Sequence, residues 1–122
     1  MNGRQLLQYG MTKAGATEEA PFGPGVAVLK AGGKMFALFG RRHEREAVSL
    51  KCDPDYAELL RRQHSCIEPG YHLNKRHWNT IDLTGSLPDA ELTALLDQSY
   101  ELVVRSLSKK QRQLLQEERN GA

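Results

Sequence analysis

Cysteine is scarce in this 122-residue chain. Cys52 and Cys66 alone do not make a disulfide framework, and a reduced, partly buried thiol pair is the simpler expectation for one domain. No apolar run approaches the roughly 20 residues that span a bilayer, and the opening residues lack the apolar centre of a signal peptide. Cytoplasmic residence without membrane contact is therefore expected. Metal-ligand spacing is missing too: His64, Cys66, His72 and His77 lie within fourteen positions, yet none follows a zinc pattern, so no metal is expected. No glycine-rich phosphate loop follows a strand. Gly23 and Gly25 stand ahead of one, the wrong order for a dinucleotide site. Cys66 near His64 or His72 lacks the context of an activated nucleophile. Neither catalytic residue nor cofactor is expected, and the chain reads as non-enzymatic.

What remains is a globular composition. Hydrophobic residues make up 39% and charged residues 26%, enough for a single core under a well-populated polar surface. One domain over 1–122 is expected, with its core at about 4–110 and a helical tail at 108–119. The net charge is only +2, but it is unevenly placed. Lys30 to Arg76 holds ten bases and six acids, His77 to Glu101 five acids and no base, and Leu102 to Ala122 five bases and two acids. Such a distribution permits one basic and one acidic face.

Local patterns predict the elements. Leu6, Leu7 and Met11 put an amphipathic helix over Gln5 to Met11. Pro21 to Gly25 reads as a loop, with Glu18 and Glu19 in or near it. Val26 to Lys30 and Lys34 to Phe39 flank Gly32-Gly33, an antiparallel hairpin signal. Gly40 to Glu46 reads as a charged hairpin tip, and Ala47 to Cys52 as a half-buried strand whose Ser49 and Lys51 face outward. Asp53 with Pro54 predicts an N-cap and a helix to Gln63 that buries Tyr56, Leu59 and Leu60. Glu68-Pro69-Gly70 breaks the chain before a strand at Trp78 to Leu83. Ser86 and Asp89 resemble a capping box for the longest helix, whose stripe is Leu92, Leu95, Leu96, Tyr100, Val103 and Leu107. Ser99 reads as a packing residue within it. Ser108 to Gln116 adds a last helical segment, and residues 120–122 should fray. The class is α+β, a single antiparallel sheet with helices packed on one face and the other partly solvated.

The segment Tyr71-His72-Leu73-Asn74-Lys75-Arg76-His77-Trp78-Asn79-Thr80 carries the strongest functional signal. Its cations suit phosphates and its rings suit stacking. Arg41, Arg42 and Arg45 at the hairpin tip form one candidate contact with nucleic acid; Lys75, Arg76 and Trp78 form a second, which Lys109, Lys110 and Arg112 would extend. Contacts of this kind are salt-sensitive and read little base sequence. The alternative is a module that binds a small molecule or protein through the open sheet face, with Phe36, Lys51, Tyr71, His72, Asn74 and His77 as candidates beside Trp78. Parity places Trp78, Thr80 and Asp82 on one side of their strand, opposite Asn79, Ile81 and Leu83.

Three blocks resemble the MmcQ/YjbR family of small bacterial proteins: Gly33-Lys34-Met35-Phe36-Ala37, Val48-Ser49-Leu50-Lys51-Cys52-Asp53-Pro54, and Gly70 to Thr80 leading to Ser86-Leu87-Pro88-Asp89. Ser99-Tyr100-Glu101-Leu102-Val103 is a fourth match. The resemblance implies a frataxin (CyaY)-like two-layer sandwich and, through the family's naming, DNA as partner by a double-wing arrangement of hairpins. It supplies no catalytic residue. Frataxins bind iron along an acidic ridge on the first helix and strand; here Met1 to Lys30 contains only Glu18 and Glu19 as acids, so that function is not expected to carry over.

Overall fold

Caps and breakers set the element boundaries of the structure, a computed structural model that describes residues 1–121, with side chains through Glu118. Asn2 starts α1 (Gly3–Gly10) with a reciprocal capping box: its side chain accepts from Gln5 N at 2.9 Å, and Gln5 Oε1 accepts from Asn2 N at 2.8 Å. The helix thus begins two residues earlier than its apolar stripe indicated, and Met11 is its exposed C-cap. Thr17–Glu19 is a short edge strand, β1, where a loop was expected. β2 (Ala27–Ala31) and β3 (Lys34–Arg42) form the hairpin about Gly32-Gly33. β3 and β4 (Arg45–Lys51) extend into the charged segment, so the tip shrinks from Gly40–Glu46 to His43-Glu44.

Asp53 caps α2 (Pro54–Gln63) by accepting from Tyr56 N at 3.3 Å. Its buried residues are Ala57 and Leu60, whereas Leu59 is exposed, because a single face of this helix meets the sheet. Ile67–Pro69 is not a break but an edge strand, β5, pairing with β6 (Trp78–Asp82); an edge is where a strand tolerates proline. The expected Ser86/Asp89 capping box does not form. α3 (Asp89–Ser106) begins after Pro88 with no side-chain cap bond, and proline's extended backbone sets the start instead. α4 (Lys109–Gly121) follows; the fraying expected at 120–122 meets helix through Gly121, and Ala122 lies outside the described residues.

The strands form an antiparallel sheet in the order β1-β2-β3-β4-β6-β5. Register assigns the faces. Ala27, Phe39, Val48, Ile81 and Ile67 are successive cross-strand neighbours, as are Leu29, Ala37, Leu50 and Asn79. These rows meet Leu6 of α1, Ala57 and Leu60 of α2, and the Leu92, Leu95, Leu96, Tyr100, Val103 stripe of α3 in a common core. The opposite face carries Val28, Leu38, Ser49, Thr80 and Glu68 in one row, and Gly40, Ala47 and Asp82 in the next. The helices therefore lie on one face, as parity predicted. β4 is nonetheless buried on both sides from Ala47 to Leu50, not half-buried: Ser49, turned outward as expected, is only 3% exposed.

A β-bulge organises the centre. Leu29 pairs with Ala37 and Lys30 with Met35, which leaves Phe36 as the extra residue. Phe36 and Ala37 are both fully buried, and Phe36 meets Tyr100 of α3 edge-on with ring centroids 5.3 Å apart. Where regular pairing of β3 with β4 stops, the Ser99 hydroxyl takes the place of a ladder bond. It accepts from Lys51 N at 2.8 Å and donates to the Phe36 carbonyl at 2.6 Å. Replacing Ser99 by Ala strips both backbone groups of their partner. Urea unfolding of Ser99→Ala should show a loss of about 1–3 kcal/mol with an unchanged denaturant slope; a loss below a few tenths would mean that the hydroxyl relay is dispensable.

Candidate functional site

The β3–β4 turn is unusual in its residues. His43 (φ 53°) and Glu44 (φ 64°) both occupy the left-handed region, as a two-residue hairpin turn of the primed type requires, where Asn-Gly is the easy solution. Each non-glycine residue there costs about 1 kcal/mol. Side chains hold the turn. Arg41 donates to the Glu44 carbonyl, Arg42 Nε donates to Glu68 Oε1 at 2.5 Å, and His43 Nε2 lies 3.3 Å from Glu68 Oε2. Arg42 on β3 reaches Glu68 on β5 across both intervening strands. Small residues beneath it, Ala47, Ser49 and Thr80, permit that crossing.

The segment 70–77 folds back over the same face. Gly70 N donates to the Trp78 carbonyl at 2.8 Å, and a Cβ on Gly70 would stand 2.7 Å from the Trp78 Cβ, so only glycine fits. Tyr71 N donates to Thr80 Oγ1 at 2.9 Å, and that hydroxyl shares a 2.7 Å bond with Ser49 Oγ. The Tyr71 ring lies under the Arg42 guanidinium, 4.1 Å from carbon to centroid, and against His72 at 3.9 Å. His72 itself adopts φ 60°. Thus two of the three non-glycine residues with positive φ among the described residues, His43 and His72, fall in one chain of contacts, His43–Glu68–Arg42–Tyr71–His72, and the third, Glu44, is held through its carbonyl by Arg41. Asn74 accepts from Arg76 N at 2.9 Å in a side-chain turn, and Lys75 Nζ donates to the Gly70 carbonyl at 2.9 Å.

Three cations singled out from sequence therefore hold the fold. Arg42 serves Glu68, Arg45 Nη1 pairs with Asp82 at 3.1 Å, and Lys75 tethers its own loop through a neutral carbonyl. Arg76 is exposed, with no ion-pair partner among the described residues. Trp78 is half-buried beside Lys51, its cross-strand neighbour on the open face. Arg41 points to the helix-bearing side, away from Arg42. The two candidate contacts lie at opposite ends of the sheet: Lys51 and Trp78 meet at one end of the β4–β6 pairing, and Arg45 starts β4 at the other. Lys109, Lys110 and Arg112 are exposed on α4, which bonds to the β2–β3 turn through Gln111 and Gly32.

The alternative ligand face loses Phe36, which is fully buried against Tyr100, because the bulge turns it into the core. Lys51, Tyr71, His72, Asn74 and His77 remain on or near the 70–78 segment. His77 is half-buried and gives its carbonyl to Cys52 N at 2.8 Å. Neither thiol is activated. Burial, with Asp53 adding to it, pushes Cys52 up to about 11, and burial also raises Cys66. Both cysteines are free. His64 lies 3.3 Å from Glu91, and no group of three metal-ligating side chains occurs among the described residues.

The comparisons with known proteins agree with one another. The YjbR family model matches residues 11–102. The chain belongs to the YjbR family. It is 44% identical over 111 residues to the uncharacterized protein YjbR of Escherichia coli (strain K12), covering 91% of this chain and 94% of that one. The uncharacterized protein YbdF of Escherichia coli O157:H7 is 38% identical over 90 residues, 74% of each chain. Among solved structures, the DUF419-domain protein DR2400 of Deinococcus radiodurans superposes with a TM-score of 0.85 at 36% identity, covering 93% of this chain and 87% of that one.

Two carboxylates of this YjbR-family protein were missed as site residues. Glu68 was read only as part of a chain break. Asp82 was placed on the correct strand face but given no partner. Burial opposes ionisation of Glu68, but hydrogen bonds and attraction from Arg42 and His43 outweigh it and hold the carboxyl below its usual range. Asp82 is held low in the same way, with Thr84 and Arg45 outweighing burial. A carboxyl held below its unfolded value of 4.5 stabilises the fold above that pH, and the contribution is lost as pH falls through the lower folded value. Urea midpoints should therefore put Glu68→Gln below the parent protein at pH 7, the gap narrowing as pH falls below 4.5. A gap that stays constant with pH would show that the charge of Glu68 is irrelevant.

Proposed function

We propose that this YjbR-family protein binds nucleic acid with little base specificity through the cations of the 70–78 segment, Lys75 and Arg76, with Lys51 and the Trp78 edge beside them. The observation that supports this reading is the distribution of unneutralised charge. Arg42 and Arg45 are paired to carboxylates, whereas Arg76 has no such partner among the described residues and Lys75 contacts only a neutral carbonyl. A guanidinium already paired to a carboxylate gains little from a phosphate, because one ion pair must break to form the other. The free cations gain fully, by releasing the counterions condensed on the polymer. Contacts from cations to phosphates position a protein on the polymer without reading bases.

The footprint is narrower than the double-wing expectation, and the hairpin tip is secondary in it. Labelled duplex and single-stranded DNA titrated by fluorescence anisotropy at about 50 and 200 mM salt test the reading. Micromolar binding that falls steeply with salt is expected. Lys75→Ala with Arg76→Ala should weaken it about tenfold, while Arg42→Ala with Arg45→Ala changes it less than about threefold. Absence of binding at the lower salt, or a larger effect from the hairpin pair than from the loop pair, would overturn the proposal. The open-face reading, a small molecule or protein held by Lys51, Tyr71, His72, Asn74 and His77, would then take its place.

A further inference from the structure

A cleft of about 940 Å³ opens between α1, the segment 20–26 and the β3–β4 hairpin, away from the 70–78 segment. Its volume is that of a small-molecule site, which typically spans about 300–1,000 Å³. Leu7, Met11, Val26, Phe39 and Leu83 supply apolar surface. The segment Ala20 to Ala27 supplies one wall, in which Pro24 and Val26 alternate with small residues, and a Cβ placed on Gly23 or Gly25 would meet nothing within 4 Å. Phe22, between two of these wall residues, is 66% exposed, and Met11 is 38% exposed. Two large apolar side chains left in water beside an apolar cleft mark it as a surface that gains by being covered.

The cleft's charges are unequal in what they can offer. Arg4 and Arg41 both line it, and neither is in an ion pair among the described residues. Arg41 donates to the Glu44 carbonyl, a neutral group that leaves its charge uncompensated. Of the two lining carboxylates, Glu46 is engaged: it accepts from Gly3 N at 3.4 Å at the positive end of α1. Glu18 lies on the exposed edge strand β1. The combination is an apolar surface beside two guanidinium groups, with Glu46, the cross-strand neighbour of Arg41, turned to the α1 N-terminus and Glu18 out on the exposed edge strand.

We propose that this cleft is a binding site for a small amphipathic carboxylate, its apolar body on Leu7, Met11, Val26, Phe39 and Leu83 and its head group held by Arg4 and Arg41. Guanidinium forks match a carboxylate's two oxygens, so an anionic head is favoured over a neutral or cationic one of equal chain length. The site is separate from the proposed nucleic-acid surface and stands or falls without it.

Titration with 8-anilino-1-naphthalenesulfonate, an apolar ring system bearing an anionic group, followed by displacement with decanoate, decanol and decylamine, tests the site. Saturable emission at one probe per chain is expected, with decanoate displacing at about tenfold lower concentration than either decanol or decylamine. The Arg4→Gln, Arg41→Gln variant changes two exposed side chains and should fold normally by circular dichroism. It should lose that preference while decanol displacement is unchanged. Lys75→Ala with Arg76→Ala, whose cations lie off the cleft, should keep the decanoate preference of the parent protein in this displacement series. Unsaturable emission, displacement indifferent to the head group, or a preference that survives in the Arg4/Arg41 variant and disappears in the Lys75/Arg76 variant would each overturn the proposal.

Discussion

The rest of the fold depends on the splice at Phe36. An extra residue in β3 turns two consecutive side chains, Phe36 and Ala37, into the core beneath α3, and a β-strand can do this only at a bulge. The bulge interrupts the ladder with β4, and the Ser99 hydroxyl restores continuity by bridging Lys51 N to the Phe36 carbonyl. α3 is thus tied to the sheet by a polar contact at the centre of an otherwise apolar interface. Everything C-terminal to the bulge on β3 inherits its parity from this point: Leu38, Gly40 and Arg42 face away from the helices, while Phe39 and Arg41 face toward them.

That parity separates two adjacent arginines and gives each a different role. Arg42 crosses the open face to Glu68 and covers the Tyr71 ring; Arg41 lines a cleft beside α1. The Arg42–Glu68 bridge then explains why a face that no helix covers has a buried floor. Small side chains lie under a long ion-paired one, and the buried Ser49 and Thr80 hydroxyls bond to each other there. The same bridge anchors a hairpin turn built from His43 and Glu44 rather than from glycine. The cost of two left-handed non-glycine residues is offset by the His43–Glu68 contact and by the Arg41 bond to the Glu44 carbonyl.

Electrostatics on this surface follow from partnership more than from composition. The run from Lys30 to Arg76 is basic as a sum, but Glu68 on β5 and Asp82 on β6 pair with Arg42 and Arg45 of the hairpin and neutralise those two. Uncompensated charge is left at Arg76 and Lys75 on one end of the sheet and at Arg4 and Arg41 beside α1. The two proposed partners, a phosphate polymer and a small carboxylate, are argued from these two places for different physical reasons. One surface is exposed and polar; the other is recessed and apolar.

Much of the fold was legible locally. The Gly32-Gly33 turn, the Asp53-Pro54 cap, the α3 stripe and the outward parity of Trp78, Thr80 and Asp82 each depend on a few consecutive residues, and each was read correctly because period and capping are short-range properties. The family was legible too, in blocks whose order survives in the sequence. What could not be read were pairings between distant positions. Phe36 looked like a face residue because a bulge leaves no local mark; Glu68 looked like part of a break because Pro69 is tolerable at an edge that only β6 defines. Leu59 fits a helical stripe and is nonetheless exposed, since the width of the buried stripe depends on the surface opposite. The sequence by itself thus determined element types, the outward parity of β6 and the family. Tertiary structure alone decided which cations remain free, because neutralisation is a contact between strands, and no periodicity within one strand records what the next one brings beside it.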